Sequence, residues 1–264
     1  MIGMTMKRIV FLLHLAVIFF QPWCLSQAGE SMAIPAPQPA KLMLAAEDSW
    51  PPFADDQGHG LSHRLIAAAL GRRGIRVESL VVPYQRAMMM AEKGNVDGVF
   101  NVARQGSTQT RFVFGERPLF TASASFYHKM DKRLAAKDKW SLPKGTMIGI
   151  ISGYEYGDEL AKLTQLQLVK VDNQQQLINL LLIGRIHGAI MYDAVAREQL
   201  QLMGVADEIV PAFANHSSDI FLAFSKQNPA AKTLAQQLDL GLTELQQNGE
   251  YDKLLAQLGP LGRP

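Results

Sequence analysis

Gly94-Asn95-Val96-Asp97-Gly98-Val99-Phe100 and Gly184-Arg185-Ile186-His187-Gly188-Ala189-Ile190 read as two copies of one local pattern. Each opens with a glycine that ends a helical stretch. A short turn carrying Asp or His follows, then a second glycine and an apolar strand. The residues leading into each copy are also alike. In the first run, strands are expected at Lys41 to Ala46, Arg76 to Val82 and Val96 to Val102, with helices at Ser62 to Arg73 and Arg86 to Lys93. In the second, strands are expected at Met147 to Ile151, Leu168 to Val171 and Gly188 to Tyr192, with helices at Tyr156 to Leu163, Gln174 to Leu182 and Ala194 to Leu202. Alternation of strand and helix predicts an α/β layer with a mostly parallel sheet flanked by helices. Its repetition predicts two lobes; chance likeness between two strand–helix–strand units is the other reading.

Two β-rich stretches connect the runs. Thr121 to Lys129 lies between them, and Ile220 to Phe224 follows the second. Two extended crossings would return the C-terminal helices, Pro229 to Gln247 and Glu250 to Leu258, to the first lobe. The expected division is therefore residues 41–124 with 218–264 in the first lobe, and 125–217 in the second. Trp50-Pro51-Pro52-Phe53 is expected to be a loop, because two prolines bar both helix and central strand.

The chain has 264 residues, 48% hydrophobic and 19% charged, an ordinary globular composition. Its N-terminus reads differently. Lys7 and Arg8 precede an apolar run from Ile9 to Phe20, and Ser26-Gln27-Ala28 supplies small residues for cleavage. This is the layout of a secretory signal peptide over residues 1–28, and the run is shorter than the ~20 residues of a membrane span. An uncleaved anchor is the alternative. Residues 29–40, with three prolines, read as a linker. The sole cysteine, Cys24, lies within the leader, so cleavage leaves no thiol for disulfides, metal ligation or nucleophilic attack. It also removes two of the basic residues and leaves basic and acidic groups in balance. Without a basic stripe interleaved with aromatics, nucleic acid is not an expected partner.

Seven short motifs, in order across the mature chain, resemble the extracytoplasmic solute-binding proteins of the amino-acid type, bacterial solute-binding family 3. They are Trp50-Pro51-Pro52-Phe53; Gly60-Leu61 with Leu65; Pro83-Tyr84-Gln85-Arg86-Ala87; Gly94 to Gly98; Phe114 to Phe120; Gly184 to Asp193; and Asn248-Gly249-Glu250-Tyr251-Asp252-Lys253-Leu254. No single motif is specific; their order carries the resemblance. It implies a periplasmic-binding-protein type II fold, in which two lobes joined by two hinge strands close on a small polar solute such as an amino acid. It also implies a periplasmic, monomeric protein that serves an ABC permease or a membrane sensor.

Recognising a free amino acid needs an acceptor for the ammonium and donors for the carboxylate, in a cleft that excludes water. Asp193 follows the apolar strand Gly188 to Tyr192, at the strand end where open α/β sheets place ligands. By resemblance it holds the ammonium; a plain helix cap is the other role for it. The family's carboxylate-binding arginine falls on Thr108, and its hydroxyl contact falls on Ala103. Arg104 or Arg86 is the expected replacement, since a guanidinium fork suits a carboxylate. Asn101 lies on the same strand, so it joins the candidates. Gly153-Tyr154-Glu155-Tyr156, placed before an expected helix, should offer backbone donors, with Tyr154 or Tyr156 lining the cleft. Trp50, Phe53 and Tyr84 are aromatics on expected cleft loops, able to pack a solute or merely to plug the fold. Met88-Met89-Met90 reads as core filling.

No catalytic residue, metal site or cofactor is expected. The chain has no Gly-x-Ser-x-Gly elbow, no His-Glu-x-x-His helix and no phosphate loop, and its histidines show no ligand spacing. His187 is expected to be a surface turn residue. The function expected is solute binding without chemistry. A dehydratase-like enzyme on the same scaffold and a ligand-free protein-interaction module remain the alternatives.

Overall fold

The structure, a computed structural model, describes residues 40–258. The leader, Cys24 and the linker up to residue 39 lie outside the described residues.

The first half is built around β1 (Ala40–Glu47), whose apolar residues Leu42, Leu44, Ala45 and Ala46 are buried. A small hairpin of β2 (Ser49–Trp50) and β3 (Ala54–Asp55) follows, turning through Pro51-Pro52. Then come α1 (Leu61–Gly71), β4 (Ile75–Val82), α2 (Tyr84–Glu92) and β5 (Gly98–Ala103). β4 and β5 pair in parallel with β1, one on each side. A short α3 (Gly106–Gln109) and β6 (Phe112–Phe114) lead to the long strand β7 (Phe120–Lys129). The second half repeats the plan. β8 (Met147–Ile151) pairs in parallel with β9 (Gln167–Val171) and with β10 (Gly188–Tyr192). α4 (Gln174–Leu182) precedes β10 and α5 (Asp193–Leu202) follows it. β11 (Ile209–Ser225) then crosses back, and α6 (Ala231–Gln247) and α7 (Glu250–Ala256) pack on α1.

The two glycine-led turns are one device used twice. Gly94 and Gly184 both adopt a left-handed backbone, φ 77° and 72°, where a side chain would be strained. In the first, the Asp97 carboxylate accepts from Met43 N at 2.8 Å while Asp97 N donates to Met43 O at 2.8 Å. In the second, His187 Nδ1 accepts from Met147 N at 2.8 Å while His187 N donates to Met147 O at 2.9 Å. The histidine is more than a surface turn residue: it fastens its turn to the neighbouring strand as the aspartate does.

Each half has an apolar core of its own. One gathers Val82, Met88, Val96, Val99 and Phe112 beneath α2; the other gathers Ile151, Leu177, Ile178, Leu181 and Leu200 between α4 and α5. Of the three successive methionines, Met88 is buried and Met89 is exposed, as adjacent positions on a helix require.

The two crossing strands join the parallel sheets of the two halves: β5 and β10 flank the central pair β11–β7, giving the order β4-β1-β5-β11-β7-β10-β8-β9. Two expectations need correction. The second crossing is far longer than Ile220 to Phe224, because the stretch from Ile209 to Asp219 ahead of it pairs with β7 alone. The helix expected over Tyr156 to Leu163 does not form; only a single 3-10 turn, Leu160–Lys162, occurs there. Gly153 and Gly157 both take positive φ, 82° and 84°, which breaks helical continuity on either side of Tyr154-Glu155-Tyr156.

Gly241 lies where α6 crosses α1. A Cβ there would sit 2.1 Å from Ala69 O and 2.6 Å from Ala69 C, both backbone atoms that cannot swing aside. Gly241→Ala is expected to lower stability in urea denaturation by about 1–3 kcal/mol through overpacking, although alanine is the better helix former by about 1 kcal/mol.

Candidate functional site

The C-terminal ends of β1, β5 and β10 converge between the halves, where α/β sheets present side chains to ligands. Seven residues enclose a void of ≈ 10 Å³ there: Glu47, Trp50, Tyr84, Asn101, Tyr154, Glu155 and Tyr192. That is about the room one water needs by this measure.

Two acids and two phenols cross the gap reciprocally. Tyr154 Oη of the second half donates to Glu47 Oε2 of the first at 2.7 Å. Tyr84 Oη of the first half donates to Glu155 Oε2 of the second, also at 2.7 Å. Tyr192 Oη adds a bond to the Glu155 carbonyl at 2.6 Å. Tyr84 and Tyr154 meet edge to face, 5.0 Å apart, as do Trp50 and Tyr192, 5.1 Å apart.

Burial decides the charge here. Glu47 is 1% exposed and Glu155 6%. Desolvation pushes Glu47 from its ordinary value of 4.5 up to about 8; the proximity of Glu155 and Asp48 adds to the rise, while Tyr154 and the nearby Asn101 oppose it. Desolvation likewise lifts Glu155 to about 7, against the pull of Tyr84, backbone N–H groups and Arg111. Burial and the adjacent carboxylates push the Tyr84 and Tyr154 phenols far up, so both remain donors.

Asn101 has the one non-glycine backbone with positive φ among the described residues, 65°. It sits at a bulge in β5, where the pairing with β11 skips from Val102↔Phe221 to Phe100↔Leu222. Such a bulge re-aims a side chain, and asparagine tolerates the left-handed region better than most residues. Ser62 Oγ holds Asn101 Oδ1, yet Nδ2 completes no hydrogen bond although it lies near Glu47. Trp50 Nε1 is likewise buried without a partner.

Of the residues singled out from sequence, Trp50, Tyr84, Asn101 and Tyr154 line this void, and the others stand elsewhere. Phe53 stacks on Phe120, 4.3 Å between rings, behind Trp50. Tyr156 turns its hydroxyl to Ile151 N at 2.9 Å. Asp193 accepts from Tyr127 Oη at 2.9 Å and does not line the void. Arg104 donates to Gly115 O at 3.0 Å and lies 4.4 Å over the Phe221 ring. Arg86 and Gly153 border a separate outer groove with Arg111 and Met89. Ala103 is buried, and its carbonyl accepts from Thr108 Oγ1 at 2.8 Å. The helix start expected to supply donors after Gly153 is absent, since that helix does not form.

Glu47, Glu155 and Tyr192 were not anticipated. Glu47 ends the first strand and Tyr192 the β10 strand, so the strand-end rule applied to Asp193 points to them one residue earlier. Alternation along a strand sends neighbours to opposite faces, and Tyr192 has the inward one.

No protein-family model matches the chain, and neither does any curated protein. Solved structures match its fold. An ancestral arginine-binding protein bound to arginine superposes with a TM-score of 0.73 at 21% identity, over 84% of this chain and 99% of that one. A histidine kinase sensor domain with similarity to periplasmic binding proteins gives 0.74 at 16% identity, over 84% and 97%. The amino acid ABC transporter substrate-binding protein AbpA from Streptococcus pneumoniae, bound to L-arginine, gives 0.70 at 20% identity, over 84% and 96%. The fold is that of the two-lobed periplasmic binding proteins.

A carboxyl group whose folded value exceeds its unfolded one keeps a proton that unfolding releases, so stability falls as pH rises between the two values. For Glu47 that window runs from 4.5 to about 8, and for Glu155 from 4.5 to about 7. Burial lowers His216 from 6.5 to about 4 and lowers His63 as well, so these two cost stability only below about pH 6.5. Between pH 6.5 and 8 the melting temperature is therefore expected to fall. Glu47→Gln, which keeps an acceptor for Tyr154, should flatten that fall and raise Tm at pH 8. A slope identical to the parent's would exclude Glu47 as the titrating group.

Proposed function

We propose that this protein binds a small polar solute between its two halves and does no chemistry on it. Such a protein would work in the periplasm, as a monomer that delivers solute to an ABC importer or reports it to a membrane sensor. The observation that supports this most directly is the buried ring of polar and aromatic groups contributed by both halves at their strand ends. Neither half alone can complete it, so occupancy is tied to closure. Among the described residues no helix is long and apolar enough to cross a membrane. The likeness to arginine-bound transport proteins and to a kinase sensor domain supports both the uptake and the sensing version.

On this reading the hinge lies where β7 and β11 run side by side, near Ser123↔Ser217 and Ala124↔His216. The ladder there shifts register between Ala214 and His216. The first lobe then comprises residues 41–124 and 218–264, and the second 125–217. Opening would exchange the Tyr84–Glu155 and Tyr154–Glu47 bonds for contacts to solute or water.

One feature favours a second reading. A buried acid near neutrality, as Glu155 is, can take or give a proton in an enzyme built on the same frame.

A thermal-shift screen against amino acids, amines and small carboxylates, followed by mass analysis of each hit, tests both. A genuine ligand at a hundredfold excess over its Kd should add about 2.7 kcal/mol of stability and be recovered unchanged. Conversion of the hit would replace the binding reading with the enzymatic one.

A further inference from the structure

We infer that the central site selects a small organic cation bearing a neutral hydrogen-bond acceptor, such as an amine with an amide or hydroxyl group, and rejects zwitterionic amino acids. This inference rests on the solute-binding reading above and names the solute's class.

Charge is the first ground. The void is lined by the carboxylates of Glu47 and Glu155 and by no lysine or arginine. Two of the candidate arginines have other partners, and Arg86 borders the separate outer groove. Arg104 is held by Gly115 O and the Phe221 ring, and Arg111 is held by Glu92 through Nε at 3.1 Å and Nη2 at 2.8 Å. Thr108, at the position where an arginine was expected by resemblance, closes its own turn on Ala103 O. A solute carboxylate here would be desolvated beside two acids with no counter-ion, an arrangement proteins avoid.

The unpartnered groups are the second ground, independent of the acids. Trp50 is 1% exposed and lends the void a donor, Nε1–H, that nothing in the protein accepts; Asn101 is 5% exposed, and its Nδ2–H lies near Glu47 without completing a hydrogen bond. Buried donors left unsatisfied mark the place of a missing acceptor. That acceptor must be neutral, for the reason just given. The flat faces of Trp50, Tyr84, Tyr154 and Tyr192 suit the remaining need, since aromatic rings attract a desolvated cation.

A neighbouring opening carries the same sign. Beside Glu47 in the chain, Asp48 borders a wider opening of ≈ 560 Å³ between the β2–β3 hairpin and helices α4 and α5. Asp55, Asp56 and Glu198 line it too, with no basic residue among its lining. Such an acidic opening attracts cations and repels carboxylates.

Cation binding should favour the ionised forms of Glu47 and Glu155 and so release protons. The groups facing these two acids are each other, Asp48, Tyr84, Asn101, Tyr154 and Tyr192, with Arg111 further out. None of the others changes charge between pH 6 and 8 on ordinary values, and a simple amine stays charged throughout that range, so proton release on binding such an amine reports on the glutamates, whereas the α-amine of an amino acid amide titrates at about 8 itself.

The test is calorimetry on the purified protein at pH 8 with matched probes: L-amino acid amides, the corresponding free L-amino acids, and the decarboxylated amines. At least one amide or amine is expected to bind ten or more times more tightly than its free acid. For a decarboxylated amine that binds, affinity should fall as pH drops from 8 to 6, and titrations in buffers of different ionisation enthalpy should reveal net proton release. Glu47→Gln and Glu155→Gln should each weaken binding at least tenfold, with an unchanged circular dichroism spectrum showing that the fold persists. A free acid that binds more tightly than its amide would overturn this inference while leaving the solute-binding reading standing. Undiminished binding of the amide by both glutamine variants would overturn it too. Silence from every probe would overturn both readings together.

Discussion

The antiparallel pairing of β7 with β11 is the contact on which the rest of the molecule depends. It runs from Ile209↔Lys129 to Ile220↔Phe120, and the outer strands hang from it, β5 on one side and β10 on the other. Backbone hydrogen bonding of this kind fixes direction and register but leaves twist soft, particularly where bulges interrupt it. One ladder therefore does two jobs. It holds two parallel sheets at a set spacing, and on the proposed function it is the line about which they turn.

What the ladder brings together is costly to assemble. Two carboxylates and four aromatic side chains meet in a space without room for more than one water. The carboxylates respond to the loss of solvent by binding protons more tightly, and the phenols by remaining donors. The reciprocal Tyr–Glu bonds are thus compensation for burial. Each acid is satisfied by the opposite half, so its loss of solvent depends on the two halves meeting. Local polar groups carry part of the same tension. Asn101 accepts a left-handed backbone to turn its amide inward, and Gly153 leaves the space that the Gln85 side chain of the facing half occupies.

The repeated turns explain why the halves fold alike from dissimilar residues. Asp97 and His187 share no charge, yet each presents one acceptor atom to the N–H of the first residue pairing it with its neighbour strand. The geometry needs a lone pair at that point, whatever its chemical source. Gly98 and Gly188 then let the following strands approach closely, since a Cβ at either would meet a carbonyl oxygen at 2.8 or 2.9 Å.

The order of strands and helices, the two-fold plan and the aromatic loop were legible in the sequence. These features are local, set by apolar periodicity and by glycines that end helices within a few residues of where they act. The candidate site was only half legible. Trp50, Tyr84, Asn101 and Tyr154 stood out by residue type and neighbourhood, but Glu47 and Glu155 become significant only because the chain buries them against partners 107 and 71 residues away. Asp193 and Arg104 were attractive by chemistry, and folding gave each an intramolecular partner first. The missing helix after Gly153 has the same origin, because Asn215 Nδ2 donates to the Tyr156 carbonyl and Gln105 Oε1 accepts from Gly157 N, each from more than fifty residues away. Sequence determines which residues can carry charge or form a strand. Which charges lose their water depends on long-range packing, and only the tertiary structure decides that.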